Sequence, residues 1–214
     1  MNEPRALVVV GEAPLATLAA SIGVAERGKH RVRIIDLAPG SITDDSLDNL
    51  AQDDPASADV FAAIGVGALN FERFDLWTRL RLKGFRCATL VHPRAFADPS
   101  SVLADNVFIG PGAIVEPGAK LGRGTIVGSG AVVGTGAEIG PWCWLASRTV
   151  VGHGSRVGAH SVLGEGVHLA DRTQFPGPGE ISVAGTYGGM FASGIFLSEA
   201  FPNGGARMIP NQSH

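Results

Sequence analysis

Cysteine is scarce in this chain: Cys87 and Cys143 are the only two among 214 residues. Two thiols do not make a disulfide framework, so a reducing, cytoplasmic setting is expected. Charge of either sign is also without surplus, with 17 Lys and Arg against 20 Asp and Glu and a formal net charge of −3. That balance argues against a nucleic-acid partner, and no charge block points to a membrane surface. Long hydrophobic runs are missing as well. The run Ala6–Val10 is too short for a signal peptide or a spanning helix, so no membrane insertion is expected. No metal is expected either. Aromatic residues make up 7% of the chain.

What is abundant is glycine, at 30 residues, set among Val, Ile and Ala. A disordered chain would lack the aliphatic residues, so this mixture predicts a turn-dense β architecture. Every sixth position from Val91 to Leu169 carries Val, Ile or Leu, apart from Ala97. A second column four residues later is small or β-branched, as at Ala113, Ala131, Cys143, Thr149 and Ser161. A period of six is not helical and fits short strands joined by corners. Each turn stacks on the next around a continuous core. The residue after the aliphatic one is usually glycine, as at Gly122, Gly140 and Gly158. It is expected to supply the corner's backbone angles.

The pattern [LIV]-G-x-x-x-x resembles the bacterial hexapeptide-repeat acyltransferases. The resemblance implies a left-handed parallel β-helix with 18 residues per coil, a homotrimer, and acetyl-CoA bound as acyl donor in the groove between neighbouring helices.

Residues 1–90 read differently. "ALVVV", "RVRIIDL" and "ADVFAAIG" are strand candidates. "PLATLAASIGVAERG" and the segment from Asn70 to Gly84 are helix candidates, with Asn70 placed to cap the second and Gly84 to end it. Alternation of this kind implies a small α/β, Rossmann-like unit. The order, and above all "AAIG…R…L…GF…ATLVHP", is similar to the sialic acid O-acetyltransferase family, which includes nucleotide-sugar N-acetyltransferases. The expected organisation is 1–90 as α/β substrate-binding domain, 91–174 as left-handed β-helix acyltransferase domain, and 175–214 as C-terminal cap or tail. The resemblance implies an acyl-CoA-dependent N- or O-acyltransferase acting on a nucleotide-linked amino sugar for surface glycan synthesis. In that family Gly11 and Asp36 would face the nucleotide-linked substrate, and strand C-termini of α/β units are common ligand sites. The turn here reads "GEAPLA", and Glu12 would repel a diphosphate, so a plain turn at Gly11 and a solvated strand end at Asp36 stay open.

Acyl transfer to an amine or hydroxyl calls for a base, and histidine suits the task. The family's histidine position corresponds to Thr135, which is counted with the substrate-binding residues. One coil further on in the same column stands His153, and another coil beyond stands Asp171. A carboxylate there would fix the imidazole's tautomer. Three readings are open: His153 as base displaced by one coil, catalysis without a protein base, or a site that has lost its chemistry and binds or scaffolds without catalysis. His160 and His168 are minor candidates; His30 and His214 have no supporting context. Trp142 and Trp144 flank inward-facing Cys143 and should project outward. By resemblance Trp144 falls where the family contacts the CoA thiol end. Ala146 and Gly164 are small corners against which a pantetheine chain would lie close to the backbone. The segment after Thr173 either caps the open coil or lines the acceptor pocket.

Overall fold

A computed structural model describes residues 4–38, 42–198 and 206–207. The expectations for His214, and for the tail over 199–205 and 208–214, lie outside the described residues.

The N-terminal unit has four parallel strands: β1 (Ala6–Gly11), β2 (Val32–Asp36), β3 (Ala58–Ala63) and β4 (Arg86–Cys87), in the order β2-β1-β3-β4. Helices α1 (Leu15–Arg27) and α2 (Phe71–Leu82) cover the sheet. Alternation along β1 sends Leu7 and Val9 into one apolar layer with α1, and Val8 and Val10 into another with Leu76 and Leu80 of α2. A strand buried on both faces reads as the unbroken apolar run seen at residues 6–10. Helix α1 stops at Gly28, where φ is 87°. Asn70 stands at the N-cap of α2, before Phe71, but does not cap it as expected. The Asn70 side chain makes no capping bond, because its backbone is left-handed, and its buried Oδ1 and Nδ2 are unpartnered.

From Leu90 onward the chain winds as a parallel β-helix with three sheets. Face I carries the outward residues Phe108, Ile126, Trp144 and Val162; face II carries Phe96, Ile114, Val132, Val150 and His168; face III carries Val102, Lys120, Glu138, Arg156 and Gln174. Partners are 18 residues apart through the hexads, as Ile126↔Trp144 and Glu138↔Arg156, and 16 apart in the last coil, as Glu180↔Phe196. Both inward columns are buried, with Val115, Val133, Leu145 and Leu163 stacked on Ala113, Ala131 and Cys143. The sheets run past the expected boundary at 174, through Gln174–Phe175, Gly179–Ile181, Gly185–Tyr187 and Ile195–Leu197. Hexad wording fades there while pairing continues.

The glycines serve differently from expectation. The left-handed backbone sits two residues beyond the aliphatic-adjacent glycine, at Gly112, Gly130, Gly136 and Gly154, and also at Asn106, Trp142, Arg148, His160 and Arg172. The glycine next to the aliphatic residue is needed for close approach: a Cβ at Gly122 would stand 2.5 Å from the backbone nitrogen of Pro141 on the next coil.

Side chains fasten the two units. The buried Asn106 amide accepts from the Ala62 N–H at 2.8 Å and donates to the Ala62 carbonyl at 3.2 Å, closing the edge of β3 that β4 leaves bare. Trp77 Nε1 donates to Asp105 Oδ2 at 3.0 Å. Arg73 is fully buried and donates to the carbonyls of Ile64, Gly65, Gly124 and Cys143 at 2.9 to 3.3 Å. Among the described residues no carboxylate pairs with it, and burial brings its pKa down to about 9.

Candidate active site

Two concave regions flank the β-helix. The first is a cleft of about 440 Å³ where the start of α1 and the loop after β3 overhang face I. Glu12, Pro14, Leu15, Leu18, Gly65 and Val66 form one wall; Phe108, Ile126, Ser129, Trp144 and Ser147 form the other. The second is a groove of about 550 Å³ along face III. There Lys120 Nζ and Arg156 Nε hold the two oxygens of Glu138 at 2.9 and 3.3 Å. Those cations, Lys120 first, hold the Glu138 carboxyl below its ordinary range. Two cations to one carboxylate leave the ladder net positive, which suits a phosphate-bearing ligand.

Thr135, His153 and Asp171 do line up along the corner between faces II and III. The chemistry within the column differs from expectation. Asp171 Oδ1 accepts from the backbone N–H of His153 at 2.9 Å, and the imidazole has no hydrogen-bond partner among the described residues. A carboxylate reaching one coil back meets the corner amide first. Thr135 is held in the same way: its N–H and its hydroxyl both donate to Glu116 Oε2 at 2.8 Å. Sequence reasoning passed over Glu116, whose signal was a carboxylate in a column that usually carries glycine.

Trp144 projects outward on face I, half-buried in the cleft, with the Arg73 guanidinium carbon 5.7 Å from its ring centroid. Ala146 and Gly164 lie on the corner that follows, between faces I and II. The cofactor candidates and His153 therefore occupy different corners of one chain. Gly11 and Asp36 are paired at the ends of β1 and β2. Gly11 is packed against the Ala63 carbonyl, with no room for a Cβ, while Asp36 is exposed. Glu12, which follows Gly11, faces the cleft; burial, and then the charge of Glu72, raise its pKa.

Trp142 leaves the helix outward as expected and is 5% exposed, because Phe74 and Trp77 of α2 close over it with ring centroids 5.3 and 5.5 Å away. It is covered by its own chain. His160 lies against Phe71, centroids 3.9 Å apart, and its Nδ1 meets the Leu69 carbonyl at 3.1 Å. Burial lowers its pKa. His92 Nδ1 accepts from the Arg94 N–H at 3.1 Å, a turn contact. The Cys143 thiol, fully buried, is pushed up to about 12 and is inert as a nucleophile. No three-residue His, Cys, Asp or Glu group able to hold a metal is present among the described residues, and none of the described helices is long and apolar enough to cross a membrane.

Residues 100–135 match the model described as bacterial transferase hexapeptide (six repeats). Among curated proteins none matches the chain. Among solved structures, a histidine-to-asparagine variant of perosamine N-acetyltransferase from Caulobacter crescentus, in complex with CoA and GDP-perosamine, is similar with a TM-score of 0.77 and 22% identity, over 89% of this chain and 92% of that one. The acetyltransferase domain of PglB from Neisseria gonorrhoeae, in complex with acetyl coenzyme A, is similar with a TM-score of 0.60 and 20% identity, over 87% of this chain and 97% of that domain. At these identities the likeness establishes the fold, an α/β unit leading into a left-handed parallel β-helix of hexapeptide repeats.

Proposed function

We propose that this protein is a CoA-dependent acyltransferase that transfers an acetyl group to a nucleotide-linked amino sugar, working as a homotrimer. The observation that carries the reading is the end-to-end likeness to an N-acetyltransferase whose complex holds CoA and a nucleotide sugar. Two features of the chain support it. The face III ladder of Lys120, Glu138 and Arg156 is fit for the phosphates of a CoA thioester, and it adjoins the His153 corner. The small corners Ala146 and Gly164 are fit for the pantetheine chain.

Separate corners are the argument for the trimer. His153 stands on one edge of face II, while Trp144, Ala146 and Gly164 stand at the other. Face I is covered by the α/β unit, whereas the apolar residues of face II are open, with Phe96 54% and Ile114 40% exposed. A threefold assembly through that face sets one copy's His153 edge against the next copy's Trp144 edge, so each site draws on two chains. Face II is also too apolar to be left open to water without cost.

In this reading the acceptor nitrogen attacks the thioester carbonyl, the C–S bond breaks, and the thiolate leaves. His153 accepts the proton lost by the attacking nitrogen and returns it to the sulfur. Backbone N–H groups of the corner are the available donors for the developing oxyanion. Asp171 holds the His153 backbone in place and is a positioning residue.

A second reading, a non-catalytic ligand-binding protein, is favoured by one observation: the His153 imidazole lacks an orienting partner. Thiol release from acetyl-CoA across a panel of amino sugars and nucleotide amino sugars decides between the two. The expected result is acceptor-dependent release, cut about 100-fold or more in His153→Ala and little changed in Thr135→Ala. Release that never rises above background sinks the enzyme reading. An unchanged rate in His153→Ala sinks the base assignment alone.

A further inference from the structure

Among the described residues, the cleft beneath α1 contains one charged side chain, Glu12. Its carboxylate has no hydrogen-bond or ion-pair partner among the described residues. The remaining lining is apolar or hydroxyl, chiefly Trp144, Phe108, Ile126, Ser129 and Ser147, with no Lys or Arg. Arg73, whose guanidinium lies against the Trp144 ring, is unavailable to a ligand: fully buried, it directs its nitrogens at four carbonyls. Glu72 adds a second negative charge close enough to disfavour ionised Glu12.

An anion that is partly desolvated, beside a like charge and without a cation, gains from any ammonium that enters. The usual alternative in an α/β unit is a phosphate at the first helix's N-terminus. Here Glu12 lies three residues before Leu15, the first residue of that helix, so a phosphate drawn to the helix start would meet a like charge.

We propose that this cleft binds the protonated amine of the acceptor, with Glu12 as its counter-ion and Trp144 as the flat wall against the sugar ring, and that it excludes a diphosphate. The word acceptor rests on the acyltransferase reading; binding itself does not. In a nucleotide-linked acceptor the diphosphate then lies outside the cleft.

Trp144 supplies the readout. The full chain is titrated by tryptophan emission with methyl glucosaminide as amine probe, its N-acetylated counterpart, and UDP as diphosphate probe. Trp144→Phe identifies the responding ring. The amine should saturate the signal. It should bind at least about tenfold more weakly to Glu12→Gln, the loss expected for one charge-assisted contact, and keep most of its affinity in Glu12→Asp. The N-acetylated probe should bind wild type as weakly as the amine binds Glu12→Gln, and UDP should not displace the amine. Far-UV circular dichroism confirms that each variant is folded. Equal amine binding to wild type and Glu12→Gln, displacement by UDP, or no saturable amine binding each overturns the proposal. Amine binding as expected together with no thiol release from acetyl-CoA would overturn the acyltransferase reading and leave the cleft assignment standing.

Discussion

Replacing Arg73 with methionine should loosen the α/β unit from the β-helix. The guanidinium serves four carbonyls, and their fates differ. The Cys143 carbonyl keeps its strand partner, the Ile126 N–H at 3.0 Å. Gly65 lines the cleft and can be rehydrated. The carbonyls of Ile64 and Gly124 are left orphaned. Each orphaned buried carbonyl costs about 1–3 kcal/mol, so the pair costs roughly 2–6. Relief from desolvating the cation offsets part of this, and the lost contact with Trp144 adds to it. A net loss of about 3–5 kcal/mol is the expectation. For a chain of this size that corresponds to a fall in Tm of about 6–20 °C. Thermal melts followed by near-UV circular dichroism should show the α/β unit unfolding ahead of the β-helix. Arg73→Lys should resemble the methionine variant, because one ammonium cannot reach carbonyls on both units. A single transition within about 2 °C of wild type would refute the idea that Arg73 is the fastener.

Two further outcomes follow from the same structure. Gly122→Ala should unfold or strongly destabilise the β-helix, since its Cβ would meet the Pro141 backbone at 2.5 Å, whereas Gly65→Ala, with nothing within 4 Å, should stay within about 0.5 kcal/mol of wild type in urea. The sign for His160 is fixed by its lowered pKa: its contribution is complete above the ordinary value of 6.5 and is lost as pH falls through the lower folded value. Urea midpoints of the wild type should therefore decline on acidification below pH 6.5, and this part of the decline should be absent in His160→Asn, which keeps a residue tolerant of the left-handed φ of 55°.

Much of this was legible because periodicity reports on geometry. Six-residue phase placed both inward columns, whereas the layer that joins Val8 to Leu76 and Leu80 emerged only from the structure. The glycines were found but misassigned, since a glycine forced by a neighbouring coil and one forced by φ look identical in sequence. Arg73 was invisible as a core residue: nothing local distinguishes a buried guanidinium from a solvated one until the carbonyls it meets, up to 70 residues away, are placed. Trp142 was expected on an outer surface and is on one, and α2 then covers it. The Thr135, His153 and Asp171 column was readable from arithmetic alone. That its carboxylate would choose a backbone amide over the imidazole was not.

The corner at Thr135, His153 and Asp171 carries a consequence for descent. A solenoid with one coil per 18 residues is a ruler whose marks are interchangeable. Gaining or losing a whole coil slides everything above it by one strand spacing, about 5 Å, and leaves every packing contact of the same kind as before. A reactive side chain can thus be handed from one rung to the next without redesign of the core. Among such proteins the comparable positions are those that share an edge and a height above the α/β unit, whatever their rank in the sequence.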